Sequence, residues 1–337
     1  MTVTMGGALN TALRDALTAD DNVMVFGEDV GTLGGVFRIT DGLTEKFGED
    51  RCFDTPLAEA GIVGFAIGMC LTGFRPVVEM QFDAFAYPAF EQITSHVAKM
   101  RNRTSGAVGL PMVIRVPYAG GIGGVEHHCD SSEGYYAHTP GLKVVTPSDA
   151  ADAYSLLREA IDDPDPVIFM EPKALYWSKQ DIELPCKRPA FGKAKVRRDG
   201  DDVTIVTYGP SVPTALKAAE AAAEEGWSVE VIDLRTIVPF DDETVVQSVR
   251  RTGRCVVVAE AQGFAGVSGE VAARVTERCF HSLAAPVARV SGLPTPYPAP
   301  MLEQTYLPGV ERILDAISRL QWDDQPDLTF AGVGARG

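Results

Sequence analysis

Short apolar runs rich in Val and Ile, closed by carboxylates, glycine or proline, recur along the chain. They alternate with longer stretches whose apolar positions fall three and four apart. The first pattern predicts strands buried on both faces, and the second predicts the helices that cover them. On this reading residues 5–19 form a helix, 22–29 (NVMVFGED) a strand, 61–74 a helix, 75–82 (RPVVEMQF) a strand and 85–102 a helix. The strand 111–118 (PMVIRVPY) leads into a glycine-rich loop at 119–124 (AGGIGG), and strand 143–149, helix 150–162 and strand 166–172 complete the set.

The rhythm then breaks. Proline, glycine and mixed charge in LPCKRPAFGKAKVRRDGDD read as a linker, placed at 181–200. Alternation restarts with strand 202–209, helix 212–225, strand 229–239, another helix, strand 254–261, helix 266–280, strand 286–292 and helix 310–320. The expected organisation is therefore two α/β domains with parallel sheets, residues 1–180 and 201–325, followed by a loosely ordered tail at 326–337.

Composition narrows the class without naming a reaction. The 337 residues are 45% hydrophobic and 23% charged, and no apolar run approaches the roughly 20 residues that span a bilayer. The opening residues, MTVTMGGALNTALRDAL, lack a basic region followed by an apolar core, so a cytoplasmic location is expected. Six scattered cysteines form no CxxC pair, which argues against zinc and iron–sulfur sites. A net charge of −16 disfavours nucleic acid as a partner and suits a basic protein surface.

In open α/β sheets ligands collect beyond the carboxyl ends of the strands. Polar residues expected there are Glu28 and Asp29 in FGEDVG, Glu59 in DTPLAEAG, and EHHCDSSEG at 126–134. Glu59 precedes an apolar helix in which Gly61, Gly64 and Gly68 share one face. Burial against such a helix would keep its carboxyl neutral and able to donate a hydrogen bond to a ring nitrogen. A plain helix N-terminal carboxylate accounts for the same position. His127 and His128 lack the i, i+4 spacing of a helical metal site, and exposure or a structural hydrogen bond would explain them. The loop has neither GxGxxG nor GxxxxGK[ST], so it is no dinucleotide fingerprint and no P-loop.

The string FGEDVGTLGGVFRITDGLTEKFGEDRCFDTPLAEAGIVGFAIGMCLTGFRPVVEMQFDAFAYPAFEQI resembles the pyrimidine-binding domain of 2-oxoacid dehydrogenase beta subunits, which are transketolase-like. Similarity continues through AHTPGLKVVTPSDAADAYSLLREAI, DPVIFMEPKALY, VIDLRTIVPFD, VVVAEAQ and GLPTPYP, nearly the whole chain. The resemblance implies that Glu59 hydrogen-bonds N1′ of the aminopyrimidine of thiamine diphosphate, favouring the imino form that deprotonates the thiazolium. It implies that Phe85 stacks on the pyrimidine, where ordinary core packing is the alternative. Glu28 would lie near the cofactor and help link two active sites by a proton path, where an ion pair is the alternative. His128 would orient or protonate intermediates, including the incoming lipoyl group. Here the chain reads HHCDSSE where many relatives read YHSQSPE, so Cys129 and Asp130 put the shape of the substrate mouth in doubt.

Some relatives hold a structural monovalent cation such as K⁺. The resemblance would place it at Ala160, Asp163 and Asp165 with carbonyls near Leu110, Met112 and Val113, although DDPD is equally a solvent-facing helix stop. The GDGx…N motif that would hold Mg²⁺ and diphosphate is absent; the nearest string is GDD at 200–202. The chain then carries only the pyrimidine half, and a separate alpha subunit in an α₂β₂ heterotetramer supplies diphosphate, Mg²⁺ and much of the substrate pocket. The resemblance implies oxidative decarboxylation of a 2-oxoacid and acyl transfer to the lipoyl group of an acyltransferase. A branched-chain substrate (3-methyl-2-oxobutanoate) is expected, with pyruvate dehydrogenase or acetoin dehydrogenase as alternatives. The presence of both Glu59 and His128 weighs against a non-catalytic scaffold, and the missing glycine fingerprint against an independent NAD-dependent oxidoreductase.

Overall fold

A computed structural model of the protein describes residues 2–187 and 190–321, so the expected tail at 326–337 lies outside the described residues. The first half runs β1 (Thr2–Thr4), α1 (Met5–Ala19), β2 (Val23–Gly27), α2 (Leu43–Phe47), β3 (Cys52–Asp54), α3 (Glu59–Leu71), β4 (Arg75–Glu79), α4 (Met100–Arg103), β5 (Val113–Tyr118), α5 (Glu133–Ala137), β6 (Lys143–Val145), α6 (Ala150–Asp162), β7 (Val167–Pro172) and β8 (Lys179–Asp181). The second half runs β9 (Lys195–Arg198), β10 (Val203–Thr207), α7 (Val212–Glu224), β11 (Val229–Asp233), β12 (Thr236–Val238), α8 (Asp242–Thr252), β13 (Cys255–Gln262), α9 (Val267–Cys279), β14 (Ala288–Gly292), α10 (Glu303–Tyr306) and α11 (Val310–Ser318).

A seven-stranded sheet has the order β12-β6-β7-β5-β4-β2-β3, and a five-stranded sheet the order β14-β13-β10-β11-β9. Pairings within β3-β2-β4-β5-β7-β6 are parallel, as the continuous Val and Ile runs require when both faces are covered. α1 and α6 pack together on one face. Thr4 Oγ1 caps α1 by accepting from Gly7 N at 3.0 Å, and Asp149 caps α6 through Asp152 N at 2.8 Å. On the other face one apolar cluster runs from Val63 and Ile93 through Val206 and Ile232 to Val249 and Val271, so the two halves share a core. Among the described residues no helix is long and apolar enough to cross a membrane.

Four segments differ from the expectation. The single helix at 85–102 is instead a 3₁₀ turn at Ala84–Ala89, a π turn at Gln92–Val97 and the short α4; Pro88 removes an amide inside it and breaks the α-helical ladder. The strand at 75–82 pairs only as far as Glu79, after which the chain turns towards its ligand edge. The strand at 229–239 is broken by Arg235, whose φ is +60°. Its guanidinium is buried against Asp152, with Nη2 2.8 Å from Oδ1, and this turn sends β12 out of the second sheet to pair antiparallel with β6 of the first. Finally, part of the stretch read as a linker forms β9, an antiparallel edge strand of the second sheet.

Three charged residues lie inside the first sheet. Arg115 on β5 donates from Nε and Nη2 to Glu171 at 2.6 and 2.9 Å and from Nη1 to Glu79. Tyr176 Oη adds a hydrogen bond to Glu171 at 2.6 Å. All four are buried.

Candidate active site

Because β2, β4, β5 and β7 are parallel neighbours, the segments that leave their carboxyl ends meet at one edge. β2 delivers Glu28 and Asp29, β4 delivers Phe82 and Phe85, β5 delivers the glycine loop with His128, and β7 delivers Lys173. The site therefore follows from strand order.

Glu28 is buried, and its Oε1 has no hydrogen-bond partner. Burial first, then repulsion from Glu59 and Asp29, pushes its carboxyl up to about 7, against the smaller opposing effect of the Ala58 backbone N–H. Glu59 opens α3 and is half-buried, and its side chain makes no hydrogen bond among the described residues. The structure thus brings Glu28 and Glu59 together, which the sequence alone did not reveal. Asp29, with φ +60°, accepts from Gln81 Nε2 at 2.7 Å and ties β2's end to β4's.

His128 lies on a 3₁₀ turn at Glu126–His128. Its ring is edge-on to Phe82, with centroids 4.2 Å apart, and to Phe85 at 5.6 Å; His127 stands 4.4 Å away. Desolvation, then His127 and Lys173, lower its basicity, so the neutral imidazole is favoured. Phe85 also meets Phe82 at 5.8 Å. Two expected site residues, Phe85 and His128, therefore belong to one aromatic cluster.

Lys173, directly after β7, is fully buried and its Nζ has no hydrogen-bond partner. Burial lowers its amine to about 8, while Asp83, Cys129, Glu260 and Asp130 act in the opposite sense. Asp83 is fully buried as well and accepts from Ser132 N at 3.0 Å. Burial pushes the Cys129 thiol up to about 11, which favours the neutral thiol at neutral pH. Asp130 accepts from Tyr87 Oη at 3.0 Å. Sequence reading missed Phe82, Asp83 and Lys173 as site residues; their only signal was position just past strands β4 and β7.

The glycine loop proves to be a packing device. A Cβ on Gly120 would sit 1.8 Å from Tyr297 Oη, and Gly121 and Gly123 have φ of +83° and +68°. Gly120 N donates to Glu260, and Gly121 N and Gly123 N donate to Glu303 Oε1 at 3.0 and 3.1 Å. Nothing in the sequence pattern links these residues, which lie far apart along the chain.

On α3 the glycine stripe faces away from the rest of the chain: at Gly64 and Gly68 a Cβ would meet nothing within 4 Å. Leu57, Phe65 and Leu71 flank it at 79%, 54% and 56% exposure.

The suggested monovalent-cation residues do gather where α6 ends beside β5, but their carboxylates are occupied. Lys143 Nζ holds Asp163 at 2.6 and 2.7 Å, and Arg101 pairs with Asp165. Leu110 and Met112 carbonyls accept from Met112 N and Val167 N at 2.8 and 3.0 Å, while Val113 and Ala160 are buried. Two cations already neutralise the acids, so the residues do not fit a further side-chain-bound cation. No cluster of three His, Cys, Asp or Glu residues that could hold a metal occurs among the described residues.

Comparison with known proteins gives this geometry its context. Residues 1–178 match the pyrimidine binding domain of transketolase, and residues 192–313 match the transketolase C-terminal domain. The chain is 53% identical over 319 residues to the 3-methyl-2-oxobutanoate dehydrogenase subunit beta of Mycobacterium tuberculosis, covering 94% of this chain and 92% of that one. It is 54% identical over 312 residues to the pyruvate dehydrogenase E1 component subunit beta of Leifsonia xyli, covering 93% of each. A solved split gene transketolase, described as an inactive beta4 tetramer, superposes with a TM-score of 0.77 at 23% identity, over 94% of this chain and 98% of that one, a likeness of fold.

Proposed function

Since the chain belongs to the transketolase-like family of 2-oxoacid dehydrogenase beta subunits, we propose that it supplies the pyrimidine half of a thiamine-diphosphate site for oxidative decarboxylation of a 2-oxoacid. The observation that carries this reading is the Glu28–Glu59 pair at the ligand edge of a pyrimidine-binding domain. Glu28 has an orphaned buried oxygen, and Glu59 is free of partners within the described chain. Those are the features expected of carboxyls that await a polar ligand.

In this role Glu59 would hydrogen-bond the aminopyrimidine and Phe85 would give it an apolar surface to stack on. When bound there, thiamine diphosphate would supply the electron sink that decarboxylation of a 2-oxoacid needs. Glu28, whose carboxyl is pushed up to about 7, takes up and releases a proton near neutral pH and so holds an exchangeable proton close to the pyrimidine. His128, neutral and aimed among Phe82 and Phe85, is placed to orient the substrate and to exchange a proton with the lipoyl group that receives the acyl chain.

An alpha subunit completes the site in an α₂β₂ assembly, bringing Mg²⁺ and the diphosphate contacts, and a lipoyl acyltransferase takes the product. The exposed apolar face of α3 fits burial by such a partner. The leading substrate is 3-methyl-2-oxobutanoate, matching the mycobacterial relative's name. Pyruvate is the second reading, favoured by an equally similar relative named for it.

The test is decarboxylation by the chain alone and paired with a candidate alpha subunit, with thiamine diphosphate and Mg²⁺. Activity is expected only from the pair, is lost with Glu59→Ala, and is higher on the branched-chain acid. Full activity from the chain alone, or an unaffected Glu59→Ala pair, would overturn the assignment; a preference for pyruvate would replace the substrate.

A further inference from the structure

We propose that Glu303, a residue of the second domain, is a positioning residue for His128 of the first. The inference rests on the role given to His128 above and extends it to a part of the chain with no obvious chemistry of its own.

Residues 119–130 form a loop closed at its neck, where Ala119 N donates to Asp130 O at 2.8 Å. His128 is near the descending end, with His128 N bound to Val125 O and Cys129 N to Glu126 O, each at 2.9 Å. The ascending limb has no backbone–backbone bond of its own and is tied within the loop only at its far end, where Gly124 N donates to the Cys129 sulfur. It consists of Gly120, Gly121, Ile122, Gly123 and Gly124, whose glycines give it little conformational stiffness of its own.

That limb is held from across the domain boundary. One oxygen, Glu303 Oε1, accepts from Gly121 N at 3.0 Å, Gly123 N at 3.1 Å and Tyr297 Oη at 2.8 Å. Tyr297 Oη in turn accepts from Gly121 N at 3.3 Å, and a glycine at 120 is what lets Tyr297 approach. Glu303 is buried at 6% exposure, so the groups bonded to its oxygen are shielded from water and costly to leave without that acceptor. On the opposite limb, Cys129 packs in a small apolar cluster with Tyr297 and Tyr306, backed by Ile122 and Leu307. The segment 297–307 therefore grips both limbs of the His128 loop, through one carboxyl group, one phenol oxygen and one apolar cluster.

The consequence is positional. A reacting group displaced by about 1 Å can lose on the order of 10²-fold in rate, and without Glu303 the glycine limb loses its acceptor at Gly123 and keeps only the longer bond to Tyr297 Oη at Gly121. The carboxylate acts on His128 through the loop and touches no reacting atom itself.

The experiment uses the assembled alpha–beta complex and four variants: Glu303→Ala, Glu303→Gln, His128→Ala and the double Glu303→Ala/His128→Ala. Acyl transfer to a lipoyl domain and amide hydrogen exchange across 119–130 are both read. We expect Glu303→Ala to lower kcat roughly 10- to 100-fold with little change in KM, and to speed exchange at Gly121 and Gly123. Glu303→Gln, which keeps an acceptor oxygen, should restore most of both, and in the His128→Ala background Glu303→Ala should cost less than about twofold. If the two losses multiply, or exchange in Glu303→Ala stays as in the wild type, Glu303 is no positioning residue while the catalytic assignment of His128 stands. If His128→Ala turns over at the wild-type rate, that assignment itself fails, and this proposal with it.

Discussion

Glu28 and Glu59 are close enough for like-charge repulsion to add to burial in raising the carboxyl of Glu28 to about 7. The folded protein therefore binds a proton here that the unfolded chain releases above its ordinary value of 4.5. The stabilisation from this group is complete below pH 4.5 and is lost as pH rises through about 7. Glu28→Gln should flatten the part of the stability–pH curve that falls across this window, and at pH 8 it should make the protein more stable by on the order of 2 kcal/mol. Thermal or urea melts of both proteins at several pH values check this. A variant whose curve keeps the wild-type slope would show that Glu28 titrates normally.

Arg115 gives a prediction of opposite sign. Its guanidinium is the only cation in direct contact with the buried Glu79 and Glu171 among the described residues, so Arg115→Met leaves two desolvated carboxylates without their counter-charge. The expected cost is about 3–5 kcal/mol, measured as a lower urea midpoint. Adding Glu79→Gln and Glu171→Gln should recover much of that loss, because neutral amides pay less for burial than carboxylates. A single variant as stable as the wild type would mean that the triad is solvated.

The outer face of α3 can be separated from the site chemistry. Phe65 is 54% exposed and the glycines beside it face open space, so Phe65→Glu should leave the melting temperature of the isolated chain within about 2 °C of wild type. Its expected effect is on association with an alpha subunit, weakened at least tenfold in sedimentation or pull-down titration. Undiminished association would move the interface off this helix.

The strands and their parallel order were legible in the sequence, since runs such as VTIV and CVVVA have few other uses than a sheet covered on both sides. Ligand-edge residues followed from that order, and Glu28 was placed at a strand end on pattern alone. The roles proposed for Glu59, Phe85 and His128 were not legible from pattern, because a glutamate at a helix start and a histidine in a loop have ordinary explanations; they rest on family resemblance. Arg235 was unreadable for a physical reason: the Val- and Ile-rich run VEVIDLRTIVP reads as one strand and hides a residue with φ +60° whose buried guanidinium pairs with Asp152, far away in the chain. The same holds for Glu303 and Tyr297, whose partners in the glycine loop precede them by more than 170 residues.

The return of Thr236–Val238 to the first sheet bears on how such a protein can be divided. A gene cut between the two halves, at the point where composition changes, would strip β6 of its neighbour and leave an unpaired sheet edge, a template for aggregation. Halves exchanged between relatives would likewise have to match at this antiparallel seam as well as at the active site. Domain shuffling is thus constrained by three residues with no part in the chemistry.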